Sequence, residues 1–169
     1  PVAQYFFQIK SRNTIDPLDA SSSESSLSSA GSIAGTAPEI ALDSYAQTTN
    51  GTKYVTINYT GTDAENDTSS LVAYEYSANG STWSTMTEKS GVGSDGISSL
   101  AFTSGGANLV FAWDVDTDLS NTEDSTVYVR LQANDGASDG NLATSSAFVI
   151  DTKASVVSNF SAVQTAGAT

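Results

Sequence analysis

The chain has no cysteine and no histidine among its 169 residues. Without cysteine there is no disulfide, so stability has to come from packing, ions or neighbours. Without histidine the commonest general base and the commonest transition-metal ligand are missing. A Ser-His-Asp triad, a zinc site built on His or Cys, and a haem held through either are thereby excluded. Positive charge is scarce too: six Lys and Arg stand against nineteen Asp and Glu, a net charge of −13. Such a balance offers phosphates no basic surface and argues against nucleic acid as a partner. It disfavours an anionic membrane surface and favours solubility and cation binding. No apolar window approaches the length that spans a bilayer, so no membrane insertion is expected. The N-terminal residues carry no signal-peptide pattern, and a mature chain would have lost one.

What is present is Ser, Thr, Asn and Gly around short alternating runs. Lys53–Trp83 is the clearest stretch. Val55, Ile57 and Tyr59 alternate with Tyr54, Thr56 and Asn58, and Val72, Tyr74 and Tyr76 alternate with Ala73, Glu75 and Ser77. A period of two marks half-buried strands. Asn79-Gly80 supplies the positive-φ pair that a short hairpin needs. Further strands are expected around Ile40 and Leu42 and over Ser81–Thr87, Ile97–Thr103, Asn108–Asp114, Thr126–Ala133 and Thr144–Asp151. Strands at this spacing, punctuated by Gly, Asn, Asp and Ser, predict an all-β sandwich or barrel with no amphipathic helix.

The chain divides into three. Residues 1–37 hold a strand-like opening, with Ala3, Tyr5, Phe7 and Ile9 on one face, followed by a Ser-rich extension of linker composition. Residues 38–152 hold the regular strand pattern. Residues 153–169 echo the first strand of that domain: Leu42-Asp43-Ser44-Tyr45-Ala46 lines up with Val157-Ser158-Asn159-Phe160-Ser161, as the start of a next repeat would.

The runs VTINYTGTDAEND, YEYSANGSTW, VYVRLQANDG and AFVIDT resemble the immunoglobulin-like and fibronectin type III-like repeats of prokaryotic cell-surface and filament proteins. The resemblance covers about residues 38–152. It implies an immunoglobulin/fibronectin type III-like β-sandwich, an extracellular setting, and roles as stalks, adhesins, array or filament subunits, or accessory modules. The chain departs from true immunoglobulin domains in having no cysteine pair.

Acidic residues cluster in three loops: Asp63, Glu65 and Asp67; Asp114, Asp116 and Asp118; Asp135 and Asp139. Alternating carboxylates suit Ca²⁺, which takes six to eight oxygens in irregular geometry. The Asp114 run is no helix–loop–helix calcium loop, because Leu119 and Ser125 occupy the positions that need Gly and Glu. The same residues also serve as plain turn formers, whose carboxylates cap local N–H groups. If units stack head to tail, facing carboxylates at successive ends would repel unless a cation lay between them. Asn50, Asn58, Asn66, Asn79 and Asn159 each begin a glycosylation sequon, against about three expected by chance. Trp83 and Trp113 are candidates for the core, or else for a sugar-stacking platform. The paired acids lie on short loops without an evident cleft, so no enzyme activity is expected.

The leading expectation is therefore a structural subunit of an extracellular filament, pilus or surface array whose partners are copies of itself. Its candidate assembly strands carry Ala3, Tyr5, Phe7 and Ile9 at one end and Val156, Val157, Phe160 and Val163 at the other. Each has the pattern that adds to a neighbour's sheet edge. The alternatives are a carbohydrate- or host-surface-binding module and a passive spacer.

Overall fold

The computed structural model describes the backbone of residues 4–5 and 31–32 and the chain continuously from 35 to 156. Strand β1 (Gln4–Tyr5) pairs antiparallel with β2 (Gly31–Ser32) over two residues. The continuous part contains β3 (Glu39–Gln47), β4 (Val55–Thr62), β5 (Thr68–Ser77), β6 (Ser84–Thr85), β7 (Leu100–Ala101), β8 (Ala107–Trp113), one helical turn α1 (Val115–Asp118), β9 (Glu123–Asn134), β10 (Ala143–Thr144) and β11 (Phe148–Asp151). These form a β-sandwich of two antiparallel sheets. One sheet is β3-β4-β8. In the other, β9 is central, with β5 on one flank and the broken pair β10 and β11 on the other, while β6 and β7 pair with opposite ends of β5.

The alternation in the sequence becomes the core directly. Along β4 Val55, Ile57, Tyr59 and Gly61 are buried, and along β9 Val127, Val129, Leu131 and Ala133 are buried. Strand β5 departs from it. A bulge between Leu71 and Ala73 adds a residue against β9, so Val72 turns out to solvent while Tyr74 and Tyr76 reach inward against Phe111 and Trp113. The face expected for Val72, Tyr74 and Tyr76 is thus split, because one inserted residue flips every side chain before it.

The strands expected at Ser81–Thr87 and Ile97–Thr103 shrink to β6 and β7. The segment between them serves two sheets at once. Met86 N–H and Leu71 N–H tie it to β5 through Tyr74 and Ile97, and Lys89, Asp95 and Asp114 tie it to β8. A chain crossing between two sheet edges cannot lie in one ladder, and Gly91, Gly93 and Gly96 at positive φ let it turn. At the Asn79-Gly80 turn only Gly80 has positive φ. Asn79 instead accepts the Ser81 and Thr82 N–H groups through its side-chain Oδ1, the Asx-turn alternative to a positive φ.

Tyr59 illustrates the cost of this core. Its hydroxyl is buried with no hydrogen-bond partner. Burial, aided by the negative charges of Asp95 and Glu88, pushes its ionisation far above the ordinary tyrosine value of 10.0. The unfolded chain ionises there above about pH 10 and the folded chain does not, so this contribution to stability is complete below that pH and is lost progressively as pH rises from there toward the raised folded-state value. Tyr59→Phe is expected to stabilise the fold by ~1 kcal/mol at neutral pH and to soften the alkaline loss. Urea titrations at pH 7 and pH 11 check both; a clear loss at pH 7 would show that the hydroxyl is bonded.

Candidate assembly interface

The two ends of the sandwich differ chemically. At the leading end, where the chain enters, Thr36 donates its N–H and hydroxyl to Glu65, each at 3.2 Å. The carboxylates of Glu65 and Asp135 both border Gly35, so the Asp63 turn and the Asp135–Asp139 loop emerge together. Nearby, a Cβ on Gly140 would stand 1.9 Å from the Pro38 carbonyl oxygen, so only glycine permits this approach. At the trailing end Thr152 is buried, exchanges hydrogen bonds with Thr122, and donates its hydroxyl to the Leu119 carbonyl. Lys53 caps that exit by donating to the Thr152 carbonyl at 2.6 Å.

Each predicted calcium-ligand cluster has local work. Asp63 is 2% exposed and accepts the N–H groups of Glu65 and Asp67 at 3.0 and 2.9 Å, fixing the turn around buried Asp67. Burial works against ionisation of Asp135, but the Ser138 and Ala137 N–H groups outweigh it and hold its carboxyl below the usual range. Asp139 accepts from the Asn134 amide. At the trailing end Asp114 pairs with Lys89 at 2.9 Å and Asp116 with Lys53 at 3.3 Å. Asp118 accepts from the Trp113 indole, the Thr87 N–H and the Thr87 hydroxyl, each at 2.7 Å. Among the described residues no three acidic side chains are arranged to hold a metal ion.

This placement changes the electrostatics expected of stacked units. Lys53, Lys89 and Lys153 all pair with trailing-end acids: Asp116, Asp114 and Glu123. Among the described residues no lysine is paired with Glu65, Asp135 or Asp139 at the leading end. An acidic end facing a partly neutralised, lysine-bearing one repels far less than two acidic ends would.

The long sides of the sandwich are closed in two ways. The 86–103 segment seals β5 against β8. On the opposite side three side-chain clamps join β3 to the strand pair β10 and β11. Asn141 accepts the Ile40 N–H at 2.7 Å and donates to its carbonyl at 2.9 Å. The Tyr45 hydroxyl meets the Ser146 hydroxyl at 2.6 Å and accepts its N–H at 3.0 Å. Gln47 donates to the Asp151 carbonyl at 2.7 Å and accepts its N–H at 2.6 Å. Side-chain amides here stand in for a missing backbone neighbour. The seam opens toward the trailing end into a groove of about 810 Å³ whose lining includes Tyr45, Phe148 and Val149 together with Lys53, Asp151 and Lys153. Val149 is 61% exposed there. No sequence pattern marks Asn141, Tyr45 or Gln47, because a clamp is defined by residues about a hundred positions apart.

The two tryptophans part company. Trp113 is fully buried and stacked on Tyr76 at 4.9 Å between centroids, so it offers no sugar platform. Trp83, expected in the core, instead lies half-buried with the Arg130 guanidinium 4.1 Å from its ring centroid. Arg130 is held in turn by Glu75 at 2.6 Å, so one ring face is already taken. Of the sequons, Asn50, Asn66 and Asn79 are exposed, whereas Asn58 is half-buried with its amide nitrogen on Ser44. Asn159 lies outside the described residues, as do Ala3, Phe7, Ile9, Val157, Phe160 and Val163 of the assembly strands. Val156 is described and largely exposed, and Tyr5 lies on β1.

Comparison with protein-family models, with curated proteins and with solved structures gives no match. No helix among the described residues is long and apolar enough to cross a membrane.

Proposed function

We propose that the chain is a structural subunit of an extracellular filament or surface array, joined head to tail by strand addition between neighbouring copies. What carries this reading is a core drawn from both sheets together with an amphipathic run that the sequence places ahead of it. Among the described residues the core runs from Ile40 to Ile150 and draws on both sheets. The sequence places a further amphipathic run, residues 1–12, before it and beyond a Ser-rich spacer. A run with an apolar side chain at every second position is suited to add to another sheet edge. A contact between the leading end of one copy and the trailing end of the next is heterologous; it does not close and so propagates into a fibre. The strand order is compatible with the immunoglobulin/fibronectin type III-like reading: β6 lies beside β5, where variable-type immunoglobulin domains also add strands.

Deleting residues 1–12 is expected to leave the melting curve within ~0.5 kcal/mol of the full chain, while fibres disappear from electron micrographs. Fibres persisting in that truncation, and in one lacking 153–169, would sink the reading. A glycan-binding role retains only Trp83, and a glycan that quenches Trp83 emission without affecting assembly would favour it instead.

A further inference from the structure

We infer that the groove beside β11 is the acceptor for residues 1–12 of a second copy of this chain. This rests on the strand-addition reading and assigns its receiving side.

The groove lies between the edges of two different sheets, β3 and β11. It is the stretch where the seam opens, beyond the Asn141 and Tyr45 clamps. Tyr45, Phe148 and Val149 give it apolar lining, and its volume of about 810 Å³ has room for several large side chains. Ala3, Tyr5, Phe7 and Ile9 present such side chains at every second position. The Asp151 backbone is the receiving edge. Its N–H and C=O point away from β9 and are held by the Gln47 amide. A strand laid along β11 takes over both bonds and releases Gln47, so the exchange leaves no buried group unpaired.

Placement favours a second copy over the same one. The groove is at the trailing end, and the donor's own domain begins at the leading end, near Gly35. In a head-to-tail pair the leading end of one copy faces the groove of the next. The spacer from 13 to 34 reaches up to ~70 Å when extended, more than the ~33 Å of a strand the length of β5, so its length permits the groove of a neighbouring copy as well as its own. Within one copy Gln4 and Tyr5 pair over just two residues, Ser32 and Gly31. A ladder that short is marginal and is readily exchanged for a longer one.

Because the chain is free of cysteine, single-cysteine variants report the contact cleanly. Full-length Phe7→Cys is mixed with Val149→Cys or, as a control on the opposite long side, with Thr85→Cys. Both Val149 and Thr85 are exposed, so neither change threatens folding. The mixtures are oxidised, run on non-reducing gels and imaged. The expected result is fibres together with about tenfold more Phe7–Val149 than Phe7–Thr85 disulfide dimer, since seating raises the local concentration of the pair. Fibres without that preference would overturn the groove as acceptor and leave strand addition standing. No fibres and no preferred dimer would overturn both.

Discussion

Replacing Trp113 with alanine is expected to destabilise the fold by about 3–5 kcal/mol. The indole is the largest fully buried side chain. It ends β8, stacks on Tyr76 from the facing sheet, and donates its N–H to Asp118 at 2.7 Å. Removing it therefore opens a cavity between the sheets and frees Asp118, which also receives both Thr87 donors. The crossing segment then loses its anchor at the trailing end. Domains of this size hold roughly 5–15 kcal/mol in total, so the alanine variant sits near the edge of folding. Trp113→Phe separates the two contributions: it keeps a ring against Tyr76 and loses only the indole N–H, for about 1–2 kcal/mol. Urea titration followed through Trp83 emission measures both variants. A loss under ~1 kcal/mol in the alanine variant would contradict the packing described.

Asn141→Ala is expected to cost about 2–3 kcal/mol, although Asn141 itself is exposed. The reason lies in its partner. Ile40 is 4% exposed, and Asn141 serves both its N–H and its C=O. Truncation leaves two backbone groups at the mouth of the core without a partner, and the full desolvation penalty follows. Gln47→Ala removes a clamp of the same form and is expected to cost under ~1 kcal/mol, because Asp151 is exposed and water replaces the amide. The pair thus tests burial against bond count. Equal losses in thermal melts would show that the clamps act through something other than desolvation of the strand they serve. A small Gln47 penalty is also what an exchangeable latch requires, since an incoming strand has to displace it.

Much of the fold is legible in residues a few positions apart. Val55, Ile57 and Tyr59 in β4, and Val127, Val129 and Leu131 in β9, bury as their alternation predicts, because the pleat itself sets side-chain direction every second residue. The Ser81–Thr87 and Ile97–Thr103 runs were weaker guides, since a segment shared between two sheets obeys neither sheet's period. Val72 misled for a related reason: a bulge is set by the register against β9, which no local pattern encodes. The candidate site was half legible. The acidic turns and the two amphipathic ends stand out in the sequence, but the lysines that neutralise the trailing acids do not.

By itself, then, the sequence determined the class of structure. Periodicity, turn residues and the absence of cysteine and histidine specify a sandwich held by packing and without histidine- or thiol-based chemistry, because those signals act over two to four residues or over the whole composition. The tertiary structure alone decided how the sandwich closes and where it stays open. The clamps join residues 101 and 104 positions apart, and Lys53 reaches Asp116 across 63. Contacts of that range exist only after the chain has folded back on itself. Folding therefore brought lysines onto the acids of the trailing end and, among the described residues, left a groove open beside β11.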